Sequence, residues 1–207
     1  MINFANKMLL DFEKDSDRRI SGICIAITGL ILIVMMLNVI HVFNISPAMY
    51  PTLIVVSIIL MTPTFFFEIL NMHSKKIRYM VLTLLVIMSG IMYSILSYHV
   101  IIMLVFPVVV SCLYCERIHV IYTTALSVPV MIISHLIAYS LKIVPDEPLV
   151  TLRGVLIYGI IPRVIELVAI SFICISITGK LQKLISALVN KNNQIVRRTT
   201  NNCWFTF

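Results

Sequence analysis

Arg163 and Glu166 lie three positions apart inside the apolar run VLIYGIIPRVIELVAISFICISIT. On a helix that spacing brings the two side chains within reach of one another, and the chemistry they offer is an ion pair. Ionisable groups at membrane depth are costly unless paired or hydrated, so they mark a sensing or ion-handling site by default. The alternative is an internal pair, or one with backbone carbonyls, that only fixes packing.

Three histidines offer a second kind of chemistry. His41, His99 and His135, with Asn38 one turn before His41, fall toward one side of the membrane on the span assignment below. Imidazoles titrate near neutral pH, so a pocket shared with Arg163 and Glu166 would answer to protons or anions. Against this stands the ordinary use of histidine at membrane interfaces, above all for His41 and His99. Cys112-x-x-Cys115, followed by Glu116 and His119, has the look of part of a metal or redox site. A structural zinc site needs four ligands, and one CxxC supplies two. Cysteine within a transmembrane helix is more often a small packing residue. No cofactor and no metal is expected. No nucleophile–base pair stands out either, so the chain does not read as an enzyme.

These residues must be placed by membrane helices. The chain has 207 residues, of which 60% are hydrophobic and 12% charged, and its mean hydropathy is +1.03. The apolar residues fall in long runs rather than alternating, so a polytopic all-α protein is expected. Six spans are read: Ser21–Phe43, Tyr50–Leu70, Tyr79–Ser97, His99–Cys115, Ile118–Leu141 and Gly154–Thr178. Each covers roughly 17–25 residues, enough for a hydrocarbon core of about 30 Å. Before them, residues 1–20 place Ala5, Met8, Leu9 and Phe12 on one helix face, and a short amphipathic helix at the membrane surface is expected. Beyond them, residues 179–198 form a charged helical extension, and 199–207 read as an unstructured tail.

The net charge is +7. Thirteen of the sixteen Lys and Arg fall in one set of segments, two (Lys142 and Arg153) in the opposite set, and Arg163 in a span. The positive-inside rule then puts both termini in the cytoplasm. The basic excess belongs to membrane loops, so lipid is the expected partner and nucleic acid is not. Four cysteines lie in or at the ends of apolar runs, which excludes a secreted disulfide framework. On this orientation Arg163 sits about 14 Å below the outer end of its span at 1.5 Å per residue.

Pro63, Pro107, Pro129 and Pro162 each fall inside a different span, where they remove a hydrogen bond and kink or loosen the helix. The extension carries Leu181, Leu184, Leu188 and Ile195 at heptad-like spacing, with Lys191 interrupting. This fits a short parallel coiled coil, hence a homodimer through the last helix. It also fits an amphipathic helix lying back on lipid with Lys180, Lys183 and Lys191 at phosphates.

The stretches FPVVVSCLYCERIHVIYTTALSVPVMIISHLIAYSL and LRGVLIYGIIPRVIELVAISFICISITGKLQKLISALV resemble the membrane sensor region of bacterial multidomain signalling proteins. Such regions precede a GGDEF diguanylate cyclase, a serine phosphatase or a histidine kinase. The resemblance covers about residues 100–190. It implies a signal-sensing module of a bacterial inner membrane, with Arg153, Pro162, Arg163 and Glu166 in structural or sensing roles. The stimulus would be a small molecule or ion of unknown identity. No GGDEF, phospho-acceptor or phosphatase motif follows, and TTNNCWFTF reads as a truncated or frame-shifted tail. The rival expectation is a small transporter, favoured by the prolines and the buried charge.

Overall fold

The computed structural model describes residues 4–42, 49–96, 102–142 and 150–203. The fold is all-α, a bundle of six helices. α1 is Phe4–Val39, α2 is Tyr50–Thr64, α3 is Lys75–Leu96, α4 is Ile102–Cys112 and α5 is Arg117–Ser140. α6 opens with the turn Leu152–Gly154, widens into a π-helical stretch Val155–Ile160, and runs on as Ile161–Cys203. Five of the six are long and apolar enough to cross a membrane, and α4 is shorter. The protein is a multi-helix membrane protein.

Residues 4–20 are helical, as their spacing predicts, but they run without a break into the first span. At 36 residues, α1 is about 54 Å long at 1.5 Å per residue. It therefore projects well past a core of about 30 Å. α6 likewise continues to Cys203, into the 199–207 stretch read above as a tail.

Each helix end has a local cause. Pro51 occupies the first turn of α2, where a missing N–H costs nothing. After Pro63, α2 widens into a π-helical turn, Phe65–Ile69. Asn71 then takes a left-handed φ of 50°. His41, Cys115 and Lys142 also have φ between 51° and 61°. All four follow a helix and act as the left-handed closing residue that glycine more often supplies. At His41 the motif is complete: its N–H reaches the Asn38 carbonyl at 3.0 Å, and the Val42 N–H reaches Leu37 at 3.0 Å.

α3 is the central helix, with two thirds of its span buried. On one side Leu82, Leu85 and Met88 pack with Ile20 and Cys24 of α1 and Val56 and Leu60 of α2. On the other, Tyr93 packs with Leu104 and Val108 of α4, Val120 and Met131 of α5 and Leu167 of α6. α3 and α5 approach closely at Gly90, where a Cβ would sit 2.4 Å from Val130 Cγ1. The Ser134 hydroxyl uses that space to donate to the Gly90 carbonyl at 2.9 Å. Smaller polar links join other pairs: Ser21 to Thr64 at 2.9 Å between α1 and α2, and Thr124 to Ser171 at 2.9 Å between α5 and α6.

Candidate functional site

Pro162 has no N–H to give to the Tyr158 carbonyl one turn earlier. The π-helical stretch Val155–Ile160 immediately precedes it. Widening by one residue there relieves the clash that a proline ring makes with the preceding turn. The helix recovers at once, and Arg163 and Glu166 follow on it. Arg163 Nη1 donates to both Glu166 oxygens, at 2.9 and 3.2 Å. The pair is formed, but not inside the bundle. The Arg163 side chain is 21% exposed and that of Glu166 50%. Arg163 Nε is buried and makes no hydrogen bond.

His135 lies elsewhere in character. It is buried, with Nε2 2.9 Å from the Tyr93 hydroxyl and Nδ1 2.9 Å from the Met131 carbonyl. The Tyr93 and His135 ring centroids also lie 4.7 Å apart, with the planes tilted by 45°. His41 is exposed at the end of α1, and His99 lies outside the described residues. Asn38 bonds the Tyr50 hydroxyl. The expected polar pocket of histidines with Arg163 and Glu166 is therefore not assembled among the described residues. A groove of about 630 Å³ does open between α1, α2, α3 and α4, but Ile31, Leu53, Met92 and Phe106 line it and none of these charged groups does.

The remaining expected positions are Pro107, Pro129 and Arg153. Pro107 is buried within α4 and Pro129 is exposed within α5. Arg153 sits exposed in the first turn of α6, where Thr151 caps the Gly154 N–H at 3.1 Å. Cys112 and Cys115 do not pair: Cys112 donates to the Val108 carbonyl at 3.4 Å, and Cys115 is the left-handed residue of the following turn. Among the described residues no three of His, Cys, Asp and Glu converge as metal ligands.

Among the described residues, the densest charge cluster is one that sequence reasoning missed. It sits at the basic end of the bundle, where α1 begins and α6 leaves. Asp17 is 0% and Arg78 1% exposed. Arg78 Nε and Nη2 donate to the two Asp17 oxygens at 3.0 and 3.1 Å, and Nη1 donates to Glu13 at 2.8 Å. His73 Nδ1 lies 2.9 Å from Asp17 and its Nε2 3.0 Å from Asn71. The guanidinium also sits 5.6 Å over the Tyr114 ring, in cation–π reach. Next to it, His119 stacks on Tyr79 and lies tilted against Tyr114, each at 4.9 Å. His119 Nδ1 approaches Glu116 at 3.3 Å without hydrogen-bond geometry. Glu116 also faces Lys75 at 3.7 Å.

This cluster ties α1, the α2–α3 loop, α3 and the α4–α5 turn together. The side of α1 that carries Asp17 is turned inward, while Phe12 of the expected apolar face is exposed. A weak signal was present. Glu13, Asp17, Ile20 or Ser21, and Cys24 recur at helical spacing, so acids prolong the face that becomes the core. Beside the cluster, the Arg117 side chain lies on the backbone of α6 at Gly179, where a Cβ would come within 1.9 Å of Arg117 Nε. Comparison with protein-family models, with curated proteins and with solved structures yields no match for this chain.

Proposed function

We propose that this protein is a membrane-embedded signal-sensing or transmission module of the bacterial signalling type. In this reading six spans cross the inner membrane and both termini face the cytoplasm. The last helix moves within the bundle and carries that movement into residues 179–198, which pair with a second copy as a short coiled coil. No catalytic step is assigned to the chain.

The observation that supports this reading is the continuity of α6. The helix runs unbroken from Ile161 to Cys203. An anchor needs no such rod, and an extension lying back on lipid needs a break near Thr178. Leu181, Leu184 and Leu188 are exposed, which suits a stripe awaiting a partner. The deformable segment Val155–Ile160 with Pro162 supplies a place where α6 can shift without unwinding.

The test uses helical phase. One to four alanines are inserted after Gly179, and a DNA-binding domain that acts only as a dimer is fused after residue 198. Reporter output is expected to rise and fall with insertion length at about 3.6 residues per turn. Output that ignores insertion length overturns the reading. The prolines and the π-helical stretch also suit a small transporter. Solute uptake into proteoliposomes that requires Arg163 would favour that alternative.

A further inference from the structure

We infer that Arg163 and Glu166 belong to a dimer seam inside the membrane, facing the same pair on a second copy of this chain. The inference rests on the dimer reading above and extends it along α6 into the membrane.

The observations come from one helix face. Leu167, Ser171 and Thr178 are buried against the bundle. Flanking them, positions 166, 173, 177, 184 and 188 repeat by seven and four, which keeps them on one side of a nearly straight helix. An 11-residue repeat of this kind suits two helices that meet with little or slightly right-handed supercoiling. Ile173, Ile177, Leu184 and Leu188 are all exposed. The face therefore crosses from the membrane portion into the extension without changing character.

Neither solvent covers this face. Lipid can cover Ile173 and Ile177, but hydrocarbon cannot solvate a carboxylate that is 50% exposed. Water can reach Leu184 and Leu188, but at the cost of exposed apolar surface. A second copy meets both demands. Around a two-fold axis along the membrane normal, the open side of Glu166 meets Arg163 of the second copy, and the reverse pair forms by symmetry. The charges are self-complementary, so no other partner is required. Arg163 uses Nη1 on Glu166 and has Nε buried, so Nη2 is the donor left for such an exchange.

The test is oxidative cross-linking of the full chain in native membranes, with the five natural cysteines replaced. Ile173→Cys reports within the membrane and Leu184→Cys in the extension. Both are expected to cross-link. Arg163→Glu sets like charges against one another, and should lower the Ile173→Cys product at least fivefold. The double variant Arg163→Glu, Glu166→Arg restores complementarity and should restore the product. Glu166→Gln, which removes charge without repulsion, should give an intermediate loss. If Leu184→Cys links while Ile173→Cys does not, or is blind to all three variants, the seam is refuted and the dimer stands. If neither position links, both readings fall.

Discussion

Both carboxylate oxygens of Asp17 are held by one guanidinium, that of Arg78, 61 positions further along the chain. The bond joins the start of the first span to the start of the third, and Glu13 and His73 complete it. Such a pair gains little over a well-packed apolar substitute but is costly to halve. Arg78→Ala leaves Asp17 buried without its guanidinium, with His73 as its remaining partner, and should lower stability in detergent by about 3–5 kcal/mol. The joint change Arg78→Met with Asp17→Leu should recover most of that loss, because Glu13 can turn to water. A loss from Arg78→Ala below about 1 kcal/mol, the size of an exposed pair, would show the cluster to be hydrated rather than sealed.

His135 is held through a hydroxyl. Tyr93→Phe removes the group 2.9 Å from Nε2 and should cost about 1–3 kcal/mol, the penalty for a buried acceptor or donor that loses its partner. Combining it with His135→Leu removes both ends and should recover part of the cost. If the single change is silent, the Tyr93 hydroxyl does not set the orientation of His135. Thermal unfolding in detergent micelles reads all three variants.

The orientation is open to direct labelling. With natural cysteines replaced, Lys142→Cys should react with a membrane-impermeant thiol reagent added to intact cells. Leu184→Cys should react only after the membrane is opened. The reverse pattern would invert the positive-inside assignment and move the Arg78 cluster to the outer face.

Much of this architecture was legible because hydropathy is a one-dimensional property. Runs of apolar residues long enough to span a membrane must be helical, since lipid cannot satisfy a backbone. The pairing of Arg163 with Glu166 was legible too, because three residues on a helix are neighbours by construction. The Asp17–Arg78 pair was not, because the helical phase that Glu13 and Asp17 share with Ile20 and Cys24 hints at a common face but does not name the partner. Its burial depends on which face of α1 meets α3, a tertiary choice. The apolar face of residues 1–20 required no such choice, because in a membrane protein an apolar face does not have to point inward, and Phe12 is exposed. His41 was a candidate for a polar pocket by residue type alone, yet its backbone closes a helix in a left-handed turn, and a propensity for such turns resembles chemistry when only residue types are visible.

Where α6 leaves the bundle, Arg117 and Gly179 set two effects against one another. Glycine in a helix interior is less favourable than alanine by about 0.8–1.0 kcal/mol, so Gly179→Ala alone should stabilise the helix. The new Cβ would fall within 2.2 Å of Arg117 Cζ, so the guanidinium must leave. It is the far end of a flexible side chain, and its displacement costs its contact with α6 rather than a core rearrangement. The two effects are of similar size, and Gly179→Ala should therefore change stability by under about 0.5 kcal/mol. In an Arg117→Ala background nothing is displaced, and the same change should gain about 1 kcal/mol. The difference between the backgrounds is the coupling between the α4–α5 turn and the exit of the last helix. Equal effects in both backgrounds would mean that Arg117 rests on Gly179 without holding it, and that the turn does not steer α6.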